Sequence, residues 1–273
     1  MDADDPVTGR RTLTTSAYRD DSRIRSRQAI FAYAETPAEP RSRVSFVPWN
    51  GTQVVADVGC GNGFDLRRLV SEGRCRHAFG LDLSPGMLDA MSGLRGSGRL
   101  TLIQADAQRL PLRADSVDVG LAMHMLYHVP DIRAAIRELR RIVKPGGIVL
   151  ASTNSAGTLA EVHGQLDDVV SGLLGRPVRA MPELGFTTEN GAALLEKAFP
   201  DVTLHASDVV LAFPSAQPVA DYLRSVREPI EAAVGEPFGF DAALDIISAR
   251  VEQVIQEQGR FRAIYRSGVF TCR

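Results

Sequence analysis

The sequence has only three cysteines, Cys60, Cys75 and Cys272, an odd and scattered set. That number excludes a zinc quartet from a single chain and suits a reducing compartment. No apolar run reaches the ~18 residues that a transmembrane helix needs. Neither sign of charge is in excess: 31 Lys and Arg against 33 Asp and Glu leave a net −2. Such a balance gives no global pull toward nucleic acid or an anionic membrane. The opening residues, Met1 to Pro6, are acidic and polar, the opposite of a secretory leader, so a cytoplasmic protein is expected. Internal repeats and low-complexity segments are absent. What remains is a chain of 273 residues, long enough to bury a substantial core in one large domain or in a domain with a cap.

The most informative stretch is Val54 to Phe64. A short β-branched run, with Val54, Val55 and Val58, reads as a buried strand and collapses into Gly59, Gly61 and Gly63. Alternating glycines give the backbone freedom and close approach that a strand-to-helix turn needs around a ligand. The spacing differs from the dinucleotide fingerprint, because the third glycine comes one residue early. Asp57 also argues against a pyrophosphate at this turn, since a carboxylate there would repel it. A ligand carrying an ammonium group and no phosphate fits instead, and S-adenosylmethionine (SAM) is such a ligand. Asp82 ends the next apolar run, nineteen residues past Gly63, where an acid accepts hydrogen bonds from ribose hydroxyls. Its alternative is a helix N-cap ahead of Met87, Leu88 and Met91. A third acid, Asp106, closes the run from Leu100 to Ala105. It is placed to accept from the adenine amine, with the Ala107 N–H facing the ring, or else it is a loop residue.

These segments, together with Met125-Leu126-Tyr127-His128-Val129-Pro130-Asp131 and Leu139 to Gly147, occur in order over residues 50–153. As a set they resemble a class I SAM-dependent methyltransferase of the type 11 group, which includes ubiquinone-biosynthesis-like and natural-product enzymes. The resemblance implies an α/β fold: a Rossmann-like, doubly wound, seven-stranded and mostly parallel sheet whose last strand is antiparallel. It implies SAM as methyl donor, no metal, and a cofactor set of Tyr18, Arg27, Asp57, Gly59, Cys60, Gly61, Asp82, Leu83, Asp106, Ala107 and Met123. Tyr18 and Arg27 would reach the methionine carboxylate from an N-terminal lid, residues 1–45, over a domain spanning 46–273. The bland reading of that arginine-rich segment is a solvated helix face.

Strand and helix signals alternate to about residue 153, with strands expected at 53–58, 77–82, 100–105 and 117–123 and a further buried strand over the apolar run 148–151. Residues 1–12 are expected to be disordered, and 16–34 to form an amphipathic helix ended by Pro37 and Pro40. Two helical insertions, 154–186 and 215–258, fall where a roof over the strand tips is expected. Methyl transfer asks mainly for alignment and exclusion of water, but a hydroxyl or ammonium acceptor must also lose a proton. His128 and His124, at the mouth of the fourth strand, are the candidate bases. Each has a structural alternative, and His163 on the inserted helix is either functional or simply a satisfied, half-buried histidine. The expected partner is a small-molecule acceptor, a secondary metabolite, methylated on O, N or C by a monomer or homodimer. The alternatives are an RNA, DNA or protein methyltransferase, a SAM-binding member that does not methylate, and a nicotinamide oxidoreductase.

Overall fold

The computed structural model describes residues 7–14, 18–35 and 44–273. Ahead of the sheet, α1 is a single turn (Arg10–Thr12), and α2 (Ser22–Ala29) continues into a 3-10 turn over Ile30–Tyr33. The alternating part runs β1 (Val54–Val58), α3 (Phe64–Ser71), β2 (His77–Asp82), α4 (Pro85–Ala90), β3 (Leu100–Gln104), β4 (Val117–Met123), α5 (Ile132–Ile142) and β5 (Val143–Asn154). Then come α6 (Ala160–Leu174), α7 (Gly191–Leu195), β6 (Val202–Phe213), α8 (Gln217–Ser225), α9 (Arg227–Val234), α10 (Phe240–Gln258) and β7 (Phe261–Cys272).

The seven strands form one sheet in the order β3-β2-β1-β4-β5-β7-β6. The first five are parallel, and β7 lies antiparallel between β5 and β6. This is the expected doubly wound fold. All five residues of β1 are buried, as expected of a parallel strand covered by helices on both faces. Helix α5 shows how local sequence sets an element. Asp131 Oδ1 accepts the Ala134 N–H at 2.9 Å to start it, and Ala135, Ile136, Leu139 and Ile142 bury one stripe. One apolar cluster lies on each sheet face, around Leu66 and Leu69 on one and around Ile136 and Leu139 on the other. A third joins α6, α8, α9 and α10 to Ile30 and to the ends of β6 and β7, through Leu166, Leu223, Ile247, Phe213 and Phe261.

Three expectations change. Residues 7–12 are folded: α1 lies here and Leu13 is buried, because the segment packs back onto the strand tips. Residues 1–6 lie outside the described part. The N-terminal helix is shorter than 16–34, since Asp20 Oδ1 accepts the Ser22 N–H (2.9 Å) and makes a turn that delays the start to Ser22; residues 16 and 17 are not described. Strand β5 extends beyond the apolar run 148–151, with Lys144 to Gly147 already in the ladder region after the helix ends at Ile142.

Candidate active site

The sheet order reverses between β1 and β4, so chain crossings leave in opposite directions and open a crevice at those strand tips. From Val58 the chain turns through Gly59, Gly61 and Gly63 at φ of +67°, +53° and +76°, values that favour glycine. Packing also requires Gly59, because a Cβ there would lie 2.6 Å from Met125 Cβ. The N–H groups of Gly59 and Cys60 both donate to Leu81 O, at 2.7 and 3.0 Å. The Gly61 N–H donates to Asp82 Oδ2 at 2.8 Å, and the Ser84 N–H to Asp82 Oδ1 at 2.8 Å. Asp82 therefore ties the tips of β1 and β2 together. It is not the cap of α4; that is Ser84, whose Oγ accepts the Met87 N–H at 3.4 Å. Burial holds the Asp82 carboxyl above the usual range, opposed by the N–H groups of Ser84, Gly61 and Leu83.

Other acids complete this wall. Asp57 is 2% exposed, and Asp106 Oδ1 accepts both the backbone and side-chain N–H of Gln108, at 2.9 and 3.0 Å. Burial, then the charges of Asp57 and Asp82, push the Cys60 thiol well up. It therefore stays protonated and is no nucleophile. Met123 ends β4 opposite Ser152 on β5. The next residue, His124, sits in the left-handed region at φ +54°, and its N–H lies 3.0 Å from both Ser152 O and Ser152 Oγ. A non-glycine residue held there by two acceptors is the kind of constraint found at functional sites.

The facing edge comes from the N-terminal segment. Arg27 Nη1 donates to Tyr18 Oη at 3.1 Å, and Tyr18 Oη lies 2.7 Å from His128 Nε2. His128 Nδ1 lies 2.9 Å from Val7 O. A carbonyl only accepts, so Nδ1 carries the hydrogen, Nε2 accepts from Tyr18, and all three bonds run in one direction. Burial, then the Arg27 cation, lower the His128 pKa to about 4 against the opposing Val7 carbonyl. The ring is thus neutral near pH 7, and its one basic nitrogen is occupied. Arg27 Nη2 reaches Ser225 O at 3.3 Å, at the end of α8, while its buried Nε–H makes no hydrogen bond among the described residues.

All thirteen residues singled out from the sequence as catalytic or cofactor-binding border one cavity of about 1510 Å³. Tyr18, Arg27 and His128 bond to one another, a link that no spacing in the sequence expresses. Sequence reasoning missed Val7, Ser152 and Tyr222, which also border the cavity. Ser152 could have been found from its place at the tip of β5; Val7 and Tyr222 give no local signal. Among the described residues no group of three or more His, Cys, Asp or Glu is placed to hold a metal ion, and no helix is long and apolar enough to cross a membrane.

A family profile described as a methyltransferase domain matches residues 56–151. That span carries the glycine turn, Asp82, Asp106 and both candidate bases. Residues 56–151 are a methyltransferase domain of this family. The domain is similar to malonyl-[acyl-carrier protein] O-methyltransferase of Serratia marcescens, 34% identical over 106 residues, which are 39% of this chain and 40% of the relative. The same-named protein of Halorhodospira halophila is 28% identical over 220 residues, 77% of this chain and 70% of its own. Ubiquinone biosynthesis O-methyltransferase of Vibrio parahaemolyticus is 35% identical over 100 residues, 36% and 43% of the two chains. The chain spans about two fifths of the length of the first curated relatives it matches. In fold it resembles a protein of Bacillus halodurans, with a TM-score of 0.59, 16% identity, and coverage of 86% of this chain and 98% of the other.

Proposed function

We propose that this protein transfers a methyl group from SAM to an oxygen of a small molecule, a secondary metabolite. The observation that carries the reading is the glycine turn joined to Asp82 at the β1/β4 crevice. The charges along the wall fit the donor. Asp57, Asp82 and Asp106 favour a ligand bearing ammonium and sulfonium charge and disfavour a pyrophosphate. A buried guanidinium whose Nε–H has no acceptor among the described residues calls for an anionic group, which the methionine carboxylate provides. In this reading Asp82 takes the ribose hydroxyls through its remaining lone pairs, and Asp106 with the Ala107 N–H faces the adenine. Gly59, Cys60 and Gly61 let the ligand lie against the backbone, with Leu83 and Met123 as its flanking apolar contacts. The bound donor supplies a methyl group already activated on a sulfonium.

The chain's own task is alignment, dryness and, for a hydroxyl acceptor, removal of one proton. Because His128 Nε2 is engaged by Tyr18, we assign His128 a positioning role that holds the lid edge shut. We give His124 the proton. Residues 1–45 act as the lid, and the insertions 154–186 and 215–258 as the cap, on a domain spanning 46–273. The O-methyltransferase names of the curated relatives favour oxygen over nitrogen or carbon.

The test is Asp82→Ala. Losing a charged acceptor costs about 1.5–3 kcal/mol of binding, so affinity for SAM falls at least about tenfold by titration calorimetry. Unchanged affinity in a folded variant overturns the reading.

A further inference from the structure

Under the cap the cavity meets a pair of side chains that the cofactor reading does not use. His163, in the first turn of α6, places Nε2 3.1 Å from Tyr222 Oη on α8. The two rings are stacked, with centroids 6.1 Å apart and planes at 24°. Both residues border the cavity. Among the described residues this is the one hydrogen bond that either side chain makes, so the imidazole and the phenol each keep capacity for another partner. Burial lowers the His163 pKa to about 4 and pushes the Tyr222 phenol up. Both are therefore neutral near pH 7.

Their surroundings are largely apolar. Ile24, Ile30, Met181 and Val226 border the same space. Phe31, 36% exposed, meets Tyr265 edge to face at 4.8 Å. Such ring edges pack against another aromatic ring. Arg27 lies close enough for its charge to act on the Tyr222 phenol. The neutral pair itself offers an ammonium group no counter-charge, and the nearby charges are one of each sign, Arg27 beside Tyr222 and Glu161 beside His163. A flat, apolar body with one or two hydroxyl groups suits the wall. The cavity also exceeds the ~300–1,000 Å³ common for a single ligand, which leaves room beside the cofactor.

We propose that His163 and Tyr222 form the acceptor subsite, binding a hydroxyl oxygen of a phenolic or enolic aromatic compound whose ring packs against Phe31 and Tyr265. This deepens the methyltransferase reading and rests on it for the word acceptor, but the binding itself can be tested separately. The probe is 2-naphthol, with naphthalene as the analogue lacking the hydroxyl. Each is titrated into the full chain, with and without S-adenosylhomocysteine, for wild type, His163→Ala, Tyr222→Phe and His163→Gln. Loss of one hydrogen bond is expected to weaken 2-naphthol about tenfold in His163→Ala and Tyr222→Phe. Naphthalene and S-adenosylhomocysteine affinities stay unchanged, and His163→Gln recovers part of the loss. Equal 2-naphthol affinity in all four proteins, no binding to wild type, or naphthalene binding as tightly as 2-naphthol overturns the subsite. Failure of wild type to bind S-adenosylhomocysteine overturns the cofactor reading instead, and the naphthol titrations without it still decide the subsite.

Discussion

The two walls of the cavity are built in different ways. On the sheet side the lining is organised mainly by backbone: left-handed glycines, the N–H groups of Gly59, Cys60 and Gly61, and one carboxylate that ties two strand tips. They come from residues 57–84, and rigid parallel strands hold them. On the cap side the lining is organised by side chains, Arg27, His163, Tyr222 and Tyr265, delivered by α2, α6, α8 and β7 from across the chain. A backbone cradle tolerates little change, because positive φ and close packing leave no room for a side chain at Gly59. A wall of side chains can be reshaped one residue at a time while the helices stay packed through Leu166, Leu223 and Ile247. Under the proposed function this is a division of labour: the sheet side suits a constant ligand, and the cap side suits a variable one.

Acid is the harshest way to break this arrangement, because two histidines bordering the cavity, His128 and His163, are held neutral. The unfolded chain takes up these protons near pH 6.5, whereas folded His128 and His163 resist until about pH 4. Their stabilising contribution is thus fully present above pH 6.5 and is lost as pH falls toward 4, by up to about 3 kcal/mol each. Thermal melts at pH 7, 5.5 and 4 should show that fall, and the slope should shrink in His128→Gln and in His163→Gln. A flat profile contradicts it.

Glycine substitutions sharpen the contrast. Gly59→Ala puts an L-residue at φ +67° with its Cβ 2.6 Å from Met125 Cβ. Left-handed strain and overpacking together should cost about 2–5 kcal/mol in urea unfolding. Gly172, within α6, has open space where a Cβ would go. Gly172→Ala should therefore stabilise the protein by about 0.5–1 kcal/mol through helix propensity alone. A loss of stability there would mean that the cap is packed as tightly as the cradle.

The same contrast explains what could be read from the sequence. The β1 turn was legible because Asp57, Gly59, Gly61 and Gly63 are local, and the strand order because apolar runs recur between helical stripes. Asp82 was legible as an acid at a fixed distance, but its bond to the Gly61 N–H was not. Arg27 and Tyr18 were read as a pair for a ligand. Their shared bond to His128, across 110 residues of sequence, depends on how the N-terminal segment folds back, which no periodicity encodes. Tyr222 fell within the 215–258 insertion with nothing local to single it out. The start of α2 was misplaced because Asp20 competes locally for the Ser22 N–H.

Strand β7 also governs how the molecule can come apart. Its Cys272 end pairs with Val149 of β5 and Val202 of β6, deep in the sheet, while its Phe261 end pairs with Phe213 inside the cap's apolar core. The twelve-residue ladder with β6 runs unbroken between the two places. A fluctuation that loosens the cap must peel this ladder from one end, and the strain travels along it toward β5 and Ser152, whose oxygens hold His124. Cap and sheet are therefore mechanically in series. Melting should be a single cooperative event, and slow opening of the cap should be felt first at the mouth of β4.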